Sequence, residues 1–476
     1  MTALVLGFVF CAAEGDAFLL RLNASPRTDP GAAFAVALDA GPIEGFPRGW
    51  RLVGCDGAAI AFQYDPPLAG EALGTLTCAR APAGDQLRIE PGESRPEADS
   101  GAVAVMEDDS SVRIDNGIAE VFYARAEGGL PAAIRFAAAG RTFAGFHLND
   151  RLYEAERGGF LLREDRAPRM RVLARGPYRA ALEIEARYGG ERSAPGAPRA
   201  RYVFEHFARS PAVRVTARIV QTEAVDWSEL HVLEINFPDE FFTRWETGDP
   251  ARAGALSAGG SSVKGDAWGA LMGAGARLGI FGSPVIIHDG RGGYGTYLHG
   301  PWTRLDRAAA RRECVLWAGP DDAAAFARDR AAPPVEAVLT RPDLMAREEA
   351  LRKRGPFVAH ACDALAATQP LPRREGALAL LETLPAQVAA LPPATGMWGV
   401  DAGGTSAFVD RATGALAGLW FGGRRLARPH GGGFALTPRG KAGARVVAGD
   451  DGAFGVECIG RDERIAVRRR APAGLA

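Results

Sequence analysis

At 476 residues the chain exceeds one ordinary hydrophobic core, so two or three domains are expected. Hydrophobic content of 47% and charged content of 24% are those of a soluble globular protein. Lys+Arg 56 against Asp+Glu 57 gives a net charge of −1, and without a basic block the composition excludes a nucleic-acid partner.

The first thirteen residues, Met1 to Ala13, form an apolar run with no Lys or Arg before it. That argues against a signal peptide and favours a cytoplasmic location over an exported one. The run is too short to span a bilayer, and no membrane partner is expected. Read as structure, it is a buried first strand paired with Phe18–Leu22 across Glu14-Gly-Asp16.

Short strands broken by Gly and Pro follow at Phe34–Leu38, Trp50–Val53, Ala59–Phe62 and Leu73–Thr77. They predict a small N-terminal β-sandwich over residues 1–100, closed by the polar linker Pro91–Gly101. At Ser111–Tyr123, Asn116-Gly117 between two apolar runs marks a hairpin with positive φ expected at both turn positions. Longer alternating strands then run over Tyr178–Tyr188, Arg201–Phe207 and Val213–Thr222. Period-2 patterning at that length predicts a broad antiparallel sheet with one packed and one wet face.

The fold class is therefore mostly β. A large antiparallel super-β-sandwich over 101–320 follows the N-terminal sandwich, with a helical connector over 321–395 and a C-terminal β segment over 396–476. The connector rests on helix composition at Asp321–Asp329, Pro342–Lys353 and Arg373–Ala390. The last part is either a small sheet or the start of an incomplete second sandwich, because Thr413–Leu426 loosely repeats Gly129–Phe143. Six cysteines lack any Cys-x-x-Cys or Cys/His cluster, so no metal is expected. They read mostly as buried thiols, with Cys55–Cys78 the one disulfide considered.

Chemistry concentrates between Trp227 and Trp317, which holds five of the eight Trp, three of the seven His and two of the eight Tyr. Its densest piece is His288-Asp-Gly-Arg-Gly-Gly-Tyr-Gly-Thr-Tyr-Leu-His-Gly-Pro-Trp-Thr-Arg304. Tyr294 and Trp302 offer apolar faces to a pyranose ring, as does Trp227 upstream. His299 and Tyr297 are candidates for proton transfer, since imidazole titrates near neutrality. Arg291 and Arg304 suit a uronate carboxylate. In Asp226–Glu240, alternation puts Leu230, Val232, Glu234 and Asn236 on one face and His231, Leu233, Ile235 and Phe237 on the other. Glu234 and His231 complete the candidate catalytic set, with Glu229 and Asp226 at the strand's mouth. His147, His360 and His430 have no neighbours that suggest chemistry, and His206 reads as a structural or surface residue.

The pair Arg175-Gly-Pro-Tyr-Arg-Ala-Ala-Leu-Glu-Ile-Glu-Ala-Arg-Tyr188 and Arg201-Tyr-Val-Phe-Glu-His-Phe-Ala-Arg-Ser-Pro-Ala-Val-Arg-Val215, with Asp115-Asn-Gly117, resembles bacterial exo-rhamnogalacturonan-lyase-like proteins. More loosely, it is similar to the galactose-mutarotase-like super-sandwich of lyases and glycosidases. The resemblance covers roughly residues 110–320 and implies a carbohydrate-active protein. It departs from such enzymes in having a connector too short for a helical toroid, and no catalytic motif carries over. The expectation is a polysaccharide lyase-like or glycoside hydrolase-like protein acting on an acidic poly- or oligosaccharide in the concave face, without a cofactor. The alternative is a non-catalytic glycan-binding or structural module.

Overall fold

The computed structural model describes residues 17–22, 32–68, 73–82, 84–93, 102–189, 193–237, 241–248, 251–256, 261–290, 295–332, 336–355, 358–359, 361–362 and 371–383, then the backbone of strands between 397 and 469. Among the described residues strands dominate and helices are few, as the alternating pattern foretold. The run Met1–Ala13, His360 and His430 lie outside the described residues. Among those residues, no helix is long and apolar enough to cross a membrane.

The chain forms two compact units, one of residues 21–337 and one of residues 1–20 with 338–476. In the second, the helices Pro342–Arg352 and Leu371–Thr383 are joined by a buried contact from Arg374 Nε to Glu348 Oε1 (2.6 Å) and by Arg347–Glu382 (2.7 Å). Its later strands form a four-stranded sheet over 397–427 and a three-stranded sheet over 443–469, both antiparallel.

The first unit is built on a nine-stranded antiparallel sheet. Its order is Arg169–Arg175, Arg179–Arg187, Arg199–Phe207, Ala212–Val220, Ala309–Pro320, Ala276–Phe281, Trp268–Gly273, Arg244–Thr247 and Arg252–Ala255. Leu182, Ile184 and Ala186 face inward, as period 2 requires. Glu183, expected on the wet face, is nonetheless buried, because Arg171 (2.7 Å) and Arg201 both reach over to its carboxylate. The inward side chains share one core with those of three smaller sheets: 104–144, a five-stranded sheet that includes Glu234–Phe237, Val285–Asp289 and Thr296–His299, and a four-stranded sheet that includes Arg151–Glu154, Trp227–His231 and Trp302–Leu305. Aromatic pairs such as Tyr123–Phe204 (5.1 Å) and Phe143–Phe237 (5.4 Å) tie these layers together. Burying each such ring stabilises the fold by roughly 1.5–3 kcal/mol. The helix Ala323–Ala331, capped by the Asp322 carboxylate on Ala324 N and Ala325 N, inserts Phe326 beside Gly279, where a Cβ would sit 2.7 Å from the ring.

Two local expectations are corrected. At the Asn116-Gly117 hairpin only Gly117 has positive φ (86°). Asn116 is buried, with its side-chain oxygen accepting from Ile118 N and Ala119 N (both 2.9 Å) and its amide donating to Ser210 O (2.8 Å). An Asx-type turn thus replaces the two-residue turn, because tertiary contact gives the amide an anchor. Cys78 is a buried free thiol, so the Cys55–Cys78 disulfide does not form.

Candidate functional site

The site begins with a break in a strand. Trp227–His231 and Glu234–Phe237 are separated by Val232 and Leu233, and Leu233 adopts φ +54°. A left-handed residue in mid-strand shifts the side-chain parity by one. His231 and Glu234, assigned by simple alternation to opposite faces, therefore meet, with His231 Nδ1 against Glu234 Oε2. Asp150 holds the break in place. Its buried carboxylate accepts from Leu233 N and Glu234 N (both 3.0 Å) and from the Tyr202 hydroxyl. Burial raises the Asp150 carboxyl to about 6, against the opposing pull of those donors. Gly300 lies across the break, donating to Leu233 O (3.1 Å); a Cβ there would sit 2.8 Å from Val232 O.

Glu234 pairs directly with His299 on the neighbouring strand, so the two project from the same face. The His299 ring stacks on His231 at 4.4 Å between centroids. Donor atoms of His231, Glu234 and His299 all lie within 4.8 Å of one another, and all three residues are buried. Around them, Asn149 Nδ2 donates to Glu234 Oε1 (2.9 Å), His231 Nε2 meets Glu229 Oε2 (2.9 Å), and Arg151 Nη2 reaches the same oxygen (3.2 Å). Burial works to raise the Glu234 carboxyl, but the His231 hydrogen bond, with His299 and Asn149, outweighs it and holds the group below the usual carboxylate range. His299 is pushed down to about 3, chiefly by burial and then by His231. It stays neutral at physiological pH, contrary to the expected proton exchange near neutrality. Its Nε2 has no hydrogen-bond partner among the described residues.

The same sheet face continues outward. His147, Asn236, Tyr297, His288 and Ser262 form one cross-strand row, next to the row of Glu234, His299, Ile286 and Lys264. Asn236 Oδ1 is buried without a hydrogen-bond partner among the described residues, and Ser262 Oγ lies 2.7 Å from His288 Nδ1. His147, dismissed on its sequence neighbours, belongs to this face; burial first and then Arg163 lower its pKa. A file of rings runs Trp302–His231 (6.4 Å), His231–His299 (4.4 Å), His299–Tyr297 (6.4 Å) and Tyr297–His288 (4.8 Å). Trp302 is 47% exposed, and Lys264 Nζ sits 5.7 Å from its ring centre.

Other sequence candidates fall elsewhere. Trp227 is fully buried, with Nε1 donating to Gln221 Oε1 (2.8 Å) and its ring edge-on to Phe160, so it is a core residue with no face for a sugar. Arg304 is exposed but forms a two-pronged pair with Asp226, with Nε to Oδ1 at 2.7 Å. Arg291 and Tyr294 lie outside the described residues. No motif in the sequence marks Asn149, Asp150, Arg151 or Lys264. Asn149-Asp150 carries no pattern that distinguishes it from a polar turn.

Among known proteins, no family profile and no curated protein matches the sequence. Solved structures of similar layout include an alpha-mannosidase from Enterococcus faecalis V583, at 10% identity and TM-score 0.47 over 94% of this chain and 52% of that one. A glycosyl hydrolase family 38 protein from Enterococcus faecalis is similar at 10% identity and TM-score 0.44, over 68% of this chain and 47% of that one. The chain thus spans about half the length of either. A galactose mutarotase-like protein from Clostridium acetobutylicum is covered over 99% of its length by 46% of this chain, at 9% identity and TM-score 0.30. These are likenesses of backbone layout.

Proposed function

We propose that the chain is a carbohydrate-active protein that takes an acidic poly- or oligosaccharide across the polar face of strands 234–237, 296–299 and 285–289. The observation that carries this reading is Trp302, an exposed ring beside His231 at the end of the ring file, with Lys264 next to it. An exposed indole offers a flat apolar surface to the C–H face of a pyranose, and an adjacent ammonium attracts a uronate. Arg304, spoken for by Asp226, leaves that charge role to Lys264.

The chemistry that fits is lyase- or hydrolase-type proton transfer. Tyr297, half-buried on the face, and Glu229, hydrogen-bonded to His231 Nε2, are the groups suited to carry protons. His231, Glu234 and His299 beneath them set the local field. The burial of His299 supports a second reading, a glycan-binding module without turnover, in which Trp302 and Lys264 hold the sugar.

Assay of a panel of acidic polysaccharides for ultraviolet absorbance of an unsaturated product and for new reducing ends separates these outcomes. Absorbance growth abolished by Tyr297→Phe supports a lyase. Reducing ends without absorbance, lost in Glu229→Gln, support a hydrolase. Binding without turnover leaves the module, and neither binding nor turnover overturns the sugar reading.

A further inference from the structure

The geometry points to a divalent transition-metal site, of the zinc class, formed by His231, Glu234 and His299. It lies beneath the proposed sugar face but does not depend on the ligand being a sugar. Three donors of two imidazoles and one carboxylate converge within 4.8 Å in a buried position. Nitrogen and oxygen donors of this kind suit Zn²⁺, Co²⁺ or Ni²⁺ and not the all-oxygen shells of Ca²⁺ and Mg²⁺. Around a tetrahedral ion, ligand atoms stand about 3.4 Å apart, given metal–ligand distances of about 2.0–2.2 Å. Binding an ion therefore asks the widest pair to close by about an ångström and His231 Nδ1 and Glu234 Oε2, now in direct contact, to part and admit it.

The surroundings are those that a metal site needs. His299 Nε2 is a buried ring nitrogen with no hydrogen-bond partner among the described residues, next to two groups able to share an ion with it. Glu229 meets the far nitrogen of His231, which leaves Nδ1 as the donor, and Arg151 steadies Glu229. Asn149 occupies Glu234 Oε1 and leaves Oε2 toward His231. Outer hydrogen bonds of this pattern orient metal ligands before the ion arrives. Asp150 supports the ligands less directly, by fixing the backbone that carries Glu234. Three protein donors leave one position open, the arrangement of zinc sites that admit water or substrate.

The test uses the full chain, stripped by chelator and titrated with Zn²⁺ by calorimetry in the absence of any sugar, with Co²⁺ absorption as a readout of coordination. One equivalent per chain is expected, with visible Co²⁺ bands of four-coordinate intensity and a raised melting temperature. His299→Ala and Glu234→Gln are expected to abolish stoichiometric uptake, and Glu229→Gln to weaken it roughly 10–100-fold. Should His299→Ala fold poorly, His299→Gln keeps a polar side chain in place and is read the same way. Stoichiometric uptake lost in these variants supports the site whatever the polysaccharide assays give. No stoichiometric uptake by the wild type, or wild-type affinity in a folded His299 variant, overturns it even where sugar is bound.

Discussion

At the scale of single residues, burial decides what each aromatic or ionisable group is able to do. Trp227 and Trp302 sit on the paired strands Trp227–His231 and Trp302–Leu305, yet one is in the core and the other in solvent. Parity in the sequence does not separate them, since Trp302 shares its strand face with Arg304 and Trp227 stands two residues from Glu229 in the same way. His206 shows the opposite case, fully buried with Nε2 2.7 Å from the Tyr123 hydroxyl and pushed down to about 3 by burial. Its folded value lies below the unfolded one, so between about 6.5 and about 3 the unfolded chain binds a proton that the folded chain refuses. Stability conferred by the neutral ring is complete above that window and is lost as pH falls through it, with a slope of up to about 1.4 kcal/mol per pH unit. His206→Gln is expected to flatten part of the acid limb of a denaturant-midpoint profile; an unchanged limb would remove His206 as its source. His299, also near 3, titrates in the same direction and accounts for a remaining share.

At the scale of elements, the break at Val232-Leu233 makes the site. Asp150→Ala would leave the Leu233 and Glu234 amides and the Tyr202 hydroxyl without their acceptor. Unsatisfied buried donors cost about 1–3 kcal/mol each, so a loss of about 3–5 kcal/mol is expected by chemical denaturation. A loss under 1 kcal/mol would show that the break holds itself. Gly300→Ala is expected to displace Val232, visible as shifted His231 and His299 imidazole resonances, because its Cβ would come within 2.8 Å of Val232 O. Unmoved resonances would mean that the backbone absorbs the contact elsewhere. This element also marks where sequence reading stops. Strands such as Arg179–Arg187 were legible because side chains alternate at a fixed period. The left-handed turn at Leu233 carries no Gly or Asn to announce it, so His231 and Glu234 were placed on opposite faces. Their convergence with His299, and the support from Asn149 and Asp150, comes from register between distant strands. No short motif records that.

At the scale of the molecule, the unit of residues 21–337 depends on contacts between its early strands and the large sheet. Gln63 Oε1 accepts from Tyr178 N (3.1 Å) and Arg179 N (2.9 Å), and buried Arg179 binds both Asp65 and Glu205 (2.7 Å each). Arg179→Ala would strand two part-buried carboxylates and is expected to cost about 3 kcal/mol. Limited proteolysis should then cut first between residues 34 and 78, whereas wild-type protection there would show that apolar packing suffices. The polar face, the exposed Trp302 and the buried cluster all belong to this unit, and sugar binding at Trp302 is the claim on which the functional account turns. The most direct measurement is calorimetric titration of wild type and Trp302→Ala with an acidic oligosaccharide. Loss of one stacking platform should weaken binding about tenfold, near 1.4 kcal/mol, with the fold intact by circular dichroism. Equal affinity in the two proteins would place the sugar elsewhere and contradict the account.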